Sequence, residues 1–158
     1  MTIMVEQSAI PGVLLVHTKK FADTRGFFSE TYNARDLAAH GFSRPFVQDN
    51  HSYSAVRGTV RGLHFQRPPD AQDKLIRVLR GSIFDVVVDI REGSPTFGKH
   101  LVIELSAENW AQLLVPAGLA HGFCTLTNDV EILYKATAFY SPAADAGIQW
   151  KDPALQIP

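Results

Sequence analysis

An all-β fold made of two packed sheets, a jelly roll, is what this sequence predicts. Three observations carry that reading. Eight or more short apolar stretches are spaced by turn-forming residues. Only one stretch has helical character. Several strands, such as Val13-Leu14-Leu15-Val16, are apolar on both faces, as strands covered on both sides are.

Taken in order, residues 3–5 and 13–18 read as strands, with Pro11-Gly12 as a turn. Asp23-Thr24-Arg25-Gly26 is a loop, and the aromatic run Phe27 to Tyr32 is strand-like. Residues 34–40 form the best helix candidate, short and peripheral, ended by Gly41 at the C′ position. Phe46 to Ser54 mixes strand formers with a dense row of hydrogen-bonding groups. It fits either a strand edge lining a pocket or a turn rich in Asx-type bonds. Residues 59–66 form another strand, followed by the loop Arg67-Pro68-Pro69-Asp70. Residues 74–80 and 83–90 read as a hairpin joined at Arg80-Gly81-Ser82. In the second of these, parity puts Ile83, Asp85, Val87 and Asp89 on one face and Phe84, Val86, Val88 and Ile90 on the other. The all-apolar face is expected in the core; the acidic face must meet water, a polar partner or a pocket. After the loop Gly93 to Gly98, strands are expected at 100–105, 110–115, 120–127 and 130–138, with Asn128-Asp129 turning between the last two. Residues 141–158 read as irregular, anchored by Trp150.

The 158 residues suit a single domain over 1–158, and 46% hydrophobic with 20% charged residues suits an ordinary globular core. A formal net charge of −1 leaves no basic excess, so neither nucleic acid nor membrane is an expected partner, while local basic patches can still serve a small anionic ligand. The N-terminus has no signal-peptide pattern, and no apolar run approaches the roughly 20 residues of a membrane span. One cysteine, Cys124, allows no internal disulfide and no cysteine-based zinc site, which fits a cytoplasmic protein. Cys124 itself reads as a small buried hydrophobe.

Chemistry-bearing residues gather in Arg61-Gly62-Leu63-His64-Phe65-Gln66, at Lys74, and in Pro116 to Phe123 around His121. A histidine titrates near pH ~6.5 and can act as a base near neutrality. A lysine can face a developing oxyanion. Tyr134, inside a strand, can donate a phenolic proton. Each also has a plain structural reading: core histidine, solvated strand-end lysine, packed tyrosine. The paired histidine motifs resemble those of metal-binding cupin barrels, but His64, Gln66 and His121 make a short ligand set, so no metal is expected. No Gly-x-Ser-x-Gly, P-loop or dinucleotide fingerprint is present.

Longer motifs then run through nearly the whole chain in order. They are Asp23 to Glu30, Phe46 to Ser52, Arg61 to Gln66, Phe84 to Arg91, Ser94 to Gly98, Pro116 to Phe123 and Leu133 to Thr137. In these the sequence closely resembles the dTDP-4-dehydrorhamnose 3,5-epimerase family. The resemblance implies a double-stranded β-helix, the cupin-like jelly-roll barrel with short peripheral helices. It implies a metal-free, cofactor-free isomerase acting on a dTDP-linked 4-keto-6-deoxyhexose. By position it makes His64 the general base, Tyr134 the general acid and Lys74 the group at the C4 oxygen. Arg25, Glu30, Gln48, Asp49, Asn50, Arg61, His121 and Asp145 match substrate-binding positions. Tyr140 matches the aromatic that stacks on thymine, with Phe21 expected from a partner subunit. A homodimer that exchanges its N-terminal strands, over about the first 30 residues, is also implied. The family's C-terminal acidic residue, which orients the base histidine, falls beyond Pro158. Asp85 is the carboxylate expected to replace it.

Three other readings share these residues. One is epimerisation at C3 only or C5 only, which needs the same base and acid. Another is a metal cupin, and the third a non-catalytic sugar-nucleotide-binding module.

Overall fold

A computed structural model describes residues 3–158. In chain order the elements are β1 (Ile3–Gln7), β2 (Leu14–Thr18), β3 (Phe21–Asp23), β4 (Gly26–Phe28), α1 (Ala34–Ala39), β5 (Gln48–Ser54), β6 (Val60–Gln66), β7 (Lys74–Arg80), β8 (Ser82–Asp89), β9 (His100–Ser106), β10 (Ala111–Val115), β11 (Leu119–Thr125), β12 (Val130–Ala136) and β13 (Asp145–Gly147). One sheet has the order β1-β2-β10-β7-β12-β5 and the other β13-β6-β11-β8-β9; β3 and β4 form a separate hairpin. The expected all-β jelly roll is what forms.

Most turns between consecutive strands cross from one sheet to the other. β5 and β6, β7 and β8, β9 and β10, and β11 and β12 are all divided in this way. The turns at 80–82 and 128–129 are therefore corners of the jelly roll, and the first is not the hairpin expected of it. Gly81 shows why the first corner is tight. Its φ is +79°, and a Cβ there would lie 2.5 Å from Thr127 Oγ1 and 2.8 Å from Val130 Cγ2.

Between the sheets, Ile76, Val78, Leu113 and Ile132 of the larger sheet meet Ile83, Val87, Leu105 and Leu119 of the smaller. The parity expected for β8 holds, but its faces are reversed. Ile83, Asp85, Val87 and Asp89 are all fully buried, with Ile83 and Val87 in the core between the sheets. Val86 and Val88 pack on the outer face with Leu63, beneath Ile148, Leu155 and Ile157. The outer face is apolar because the C-terminal segment covers it. The acidic residues are tolerated because each is fully partnered. Asp89 accepts from Arg91 N, Nε and Nη2, from Ser94 Oγ and from Thr96 Oγ1. Burial opposes its ionisation, but these donors outweigh burial and hold the carboxyl well below the usual carboxylate range.

The outer face of the larger sheet is covered by α1. Leu37 packs there with Leu14, Val16, Leu75 and Leu114, and Tyr32 and Phe46 close the edge. Asn33 caps the helix by accepting from Arg35 N and Asp36 N, and Gly41 follows the C-cap with φ +91°. The strand expected over 27–32 is realised only as β4. Beyond it, backbone and side-chain groups bond to side chains instead of a ladder: Gln112 Nε2 donates to Thr31 O, and Trp110 Nε1 to Ser29 Oγ. β13 adds a strand where irregular chain was expected; three residues are too few to show a period. β1 and β2 pair within their own chain's sheet.

A depressed carboxylate contributes stability that is complete above its unfolded pKa of ~3.9 and lost as pH falls towards its folded value. Asp89→Asn is expected to lower the unfolding free energy at pH 7 by about 3 kcal/mol. It should also flatten the stability loss between about pH 4 and pH 2. Urea titrations of both proteins across that range check this; equal acid sensitivity would refute it.

Candidate active site

The site begins with a backbone irregularity. Across the β6–β11 ladder His121 lies opposite His64, and Phe123 opposite Arg61. Between these pairs β6 has two residues, Gly62 and Leu63, against the single Gly122 of β11, which is a β-bulge. Residues three apart face opposite sides of a regular strand. Here the bulge turns both Arg61 and His64 to the cavity, while Leu63 packs on the outer face, 3% exposed. Only glycine fits this crossing. Gly62 has φ +103°, and a Cβ on it would lie 2.7 Å from His121 O and 2.8 Å from Gly122 Cα. A Cβ on Gly122 would lie 2.5 Å from Arg61 O.

The cavity between the sheets has a volume of about 430 Å³. Arg61, His64 and His121 line it from the smaller sheet, and Lys74, Tyr134 and Ser52 from the larger. Tyr134 pairs with Ile76 and Asn50, and Ala136 with Lys74, so Lys74 and Tyr134 are diagonal neighbours on one wall. Lys74 Nζ is 5.8 Å from the Tyr134 ring centroid. Desolvation lowers the Lys74 pKa from the ordinary lysine value, against the opposing pull of Asp85 and Asp145. Desolvation raises that of Tyr134. Arg61 reaches across to the other sheet's edge strand, donating through Nε to Ser54 Oγ and through Nη2 to Tyr53 O.

Asp85 was expected to orient His64; instead it bonds His121. His121 Nε2 lies 2.9 Å from both Asp85 carboxylate oxygens. The register explains this. β8 places Asp85 opposite Phe123, diagonal to His121 on the neighbouring strand, and β11 separates β8 from β6. Among the described residues the His64 ring makes no hydrogen bond, and it is exposed at the cavity mouth.

The other expected positions divide by strand parity and by element. In β5, Gln48 and Asn50 share the face of Ser52, and Gln48 Nε2 donates to Asn50 Oδ1. Asp49 is on the opposite face, where Lys135 Nζ donates to it at 3.0 Å, so it lies outside this chain's cavity. Tyr140 and Asp145 are held beside the mouth. Tyr140 N donates to Gln48 Oε1, and Tyr140 Oη to Asp145 Oδ2 at 3.4 Å. Asp145 in turn pairs with Gln66 across β13 and β6. Phe21 and Arg25 lie on the β3–β4 hairpin and line none of the cavity; Arg25 pairs with Asp23 at 2.6 Å. Glu30 accepts from Asn33 Nδ2 just beyond that hairpin. No three His, Cys, Asp or Glu side chains among the described residues come together as a metal ligand set.

Two contributors escaped sequence reasoning. Ser52 was recoverable, since it shares parity with Gln48 and Asn50. Asp73 was not. It is 4% exposed, pairs with Arg44 at 2.6 Å, and accepts from Ala117 N and Thr137 Oγ1. It thereby ties the start of β7, with Lys74, to the end of β12 and the turn into β11. Nothing but its place beside Lys74 marks it in the sequence.

Residues 7–158 match the dTDP-4-dehydrorhamnose 3,5-epimerase family. The chain belongs to that family. An epimerase of this name from Sinorhizobium fredii is 54% identical over 94% of this chain and 76% of its own length. The Bacillus anthracis dTDP-4-dehydrorhamnose 3,5-epimerase crystal structure, with TDP and PPi bound, superposes with a TM-score of 0.96. It is 49% identical and covers 99% of this chain and 89% of that one. The Legionella pneumophila epimerase in complex with dTDP-4-keto-L-rhamnose gives 0.94 at 41% identity, over 98% of this chain and 82% of that one. The family is one of isomerases, and no described helix here is long and apolar enough to cross a membrane.

For a dTDP-4-dehydrorhamnose 3,5-epimerase with this bulge, Gly62→Ala is expected to displace Arg61 and His64 together. A misplacement of about 1 Å costs about 10²-fold in rate. Turnover by the variant should fall by at least that factor while circular dichroism still reports a β fold. Wild-type turnover would refute the role given to the bulge.

Proposed function

We propose that this protein epimerises dTDP-4-dehydro-6-deoxy-D-glucose at C3 and C5, giving dTDP-4-dehydro-L-rhamnose through an enolate. The observation that carries this reading is the placement of His64 and Tyr134 on opposite walls of one cavity, with Lys74 beside Tyr134. The carbons C3 and C5 both flank the C4 carbonyl. His64 takes the proton from one of them, and the C–H electron pair becomes the enolate double bond as the carbonyl π pair moves to oxygen. Lys74 faces that oxygen. Tyr134 delivers its proton to the same carbon from the opposite side, which inverts the centre. The phenolate is then reprotonated and His64 releases its proton to solvent. Repetition at the second carbon completes the reaction.

Burial supports these roles. A raised Tyr134 pKa keeps the phenol protonated, as an acid must be. Lys74 meets the developing charge where little water competes, and such a donor is worth about 10²–10³-fold. Arg61 uses two of its donors within the protein and has others for a diphosphate oxygen. His121, held by Asp85, adds a fixed polar group on the wall beside His64. Tyr140 stacks on the thymine ring, with Asp145, Gln48 and Asn50 around it.

The reaction uses no metal and no cofactor; Lys74 supplies the positive charge an ion otherwise would. The working form is a cytoplasmic homodimer in which the partner's β3–β4 hairpin completes each site. Exposed Phe21, Phe27 and Phe28 on that hairpin, with Arg25 pointing outward, favour this arrangement.

In deuterated water with dTDP-4-dehydro-6-deoxyglucose, label is expected at both C3 and C5 and should be absent with His64→Ala. Label at one carbon would make the protein a mono-epimerase. No label from folded, dTDP-binding protein would sink the catalytic reading.

Lys74 is charged only below its pKa, which desolvation lowers, so its deprotonation contributes to the alkaline limb of kcat. Activity should fall as pH rises, before the ~10.4 of an ordinary lysine is reached. Lys74→Arg, which stays charged, should move that limb upward at a lower plateau. An unmoved limb would remove Lys74 from the charge-stabilising role.

A further inference from the structure

We infer that Gln66 is a positioning residue for the nucleotide: its buried carboxamide fixes the segment that presents Tyr140 to the nucleobase. This rests on the stacking role proposed for Tyr140. Gln66 is 7% exposed at the end of β6, two residues beyond His64. Its Nε2 donates to Asp70 O at 2.7 Å and to Phe139 O at 3.2 Å. Its Oε1 accepts from Ser141 N at 3.0 Å. The residue between, Tyr140, donates its own N–H to Gln48 Oε1 at 3.0 Å. Three consecutive residues are thus each held through a main-chain group by a glutamine side chain.

The far end of the segment is tied to the same strand. Arg67 N donates to Ala144 O, and Asp145 pairs with Gln66. Yet the rings carried by this segment are exposed: Phe139 is 70% exposed and Tyr140 58%. A fixed backbone under an exposed ring is a preorganised stacking platform. Fixing it beforehand lowers the ordering cost that a ligand would otherwise meet on binding. Both donors of the carboxamide and its bond from Ser141 N go to this segment and to Asp70, so Gln66 acts through Tyr140.

Two substitutions separate this role from general support of the fold. Gln66→Glu keeps the acceptor for Ser141 N but removes both donors and sets a carboxylate against two carbonyl oxygens. Gln66→Met, apolar and of similar length, removes the bonds without adding charge, and serves if the charged variant does not fold. Each should raise KM for the dTDP-sugar about tenfold or more with kcat within about twofold, as loss of uniform binding does. By calorimetry dTDP should weaken in parallel while inorganic pyrophosphate binds as before, because only the base meets the platform. A fall in kcat at unchanged KM, or equal weakening of dTDP and pyrophosphate, would overturn the inference. Tyr140→Ala distinguishes the two claims. If it leaves dTDP affinity unchanged, the stacking reading fails first. If it weakens dTDP while both Gln66 variants do not, Gln66 has no part in presenting the ring.

Discussion

The close approach of two backbones at Gly62 and Gly122 is the constraint on which this site depends. β6 must pair with β11 and still send Arg61 and His64 to the same side. A bulge does this, and the bulge needs two chains nearer than any side chain permits. Gly147 extends the requirement to the next strand, since a Cβ there would lie 2.9 Å from Leu63 O. Three glycines on three adjacent strands therefore surround Leu63, and their backbones replace the side-chain contacts a sheet normally uses. From this follow the His64–His121 pair and the reach of Arg61 to the opposite sheet.

Electrostatics builds on that frame. The interior row of β8 carries two fully buried carboxylates, and each is answered locally. Asp89 is closed off by arginine, hydroxyl and backbone donors and plays a structural part. Asp85 is answered by His121, a partner that is itself on the cavity wall. Lys74 feels Asp85 and Asp145 but makes an ion pair with neither among the described residues, which leaves its charge available to a ligand. The same desolvation that weakens its hold on a proton strengthens that of Tyr134. One dry wall thus prepares both the cation and the acid proposed for the reaction.

Much of this was legible in the sequence. Most of the longer strands, the two-sided apolar runs and the short helix α1 follow from residue pattern and from Gly and Pro punctuation. The family motifs picked out His64, His121 and Tyr134, and position in the resemblance added Lys74; the fold brings all four into one cavity. What could not be read was pairing. A turn such as Arg80-Gly81-Ser82 looks the same whether it closes a hairpin or crosses between sheets. The faces of β8 were assigned by polarity, but its polar face is inside because its carboxylates are paired, and its apolar face is outside because the C-terminal segment covers it. Asp49 faces away from this chain's cavity for a related reason: in a row of polar residues, motif position does not show which parity faces inward. Asp85 was given the wrong histidine because the strand order puts β11 between β8 and β6.

The crossing turns also account for how a short stretch of chain can build two walls. β6 and β7 are joined by the loop at 67–73 yet lie in different sheets, so His64 and Lys74, ten residues apart, face one another across the cavity instead of along a strand. β11 and β12 repeat the arrangement with His121 and Tyr134. Each crossing contributes one group to either wall, and the proposed base and acid stand on different walls. Inversion at carbon requires proton removal and delivery from opposite faces, and a jelly roll meets that requirement through its connectivity. A hairpin joining the same strands would have put the pair on one face, where a proton could be exchanged but the centre not inverted.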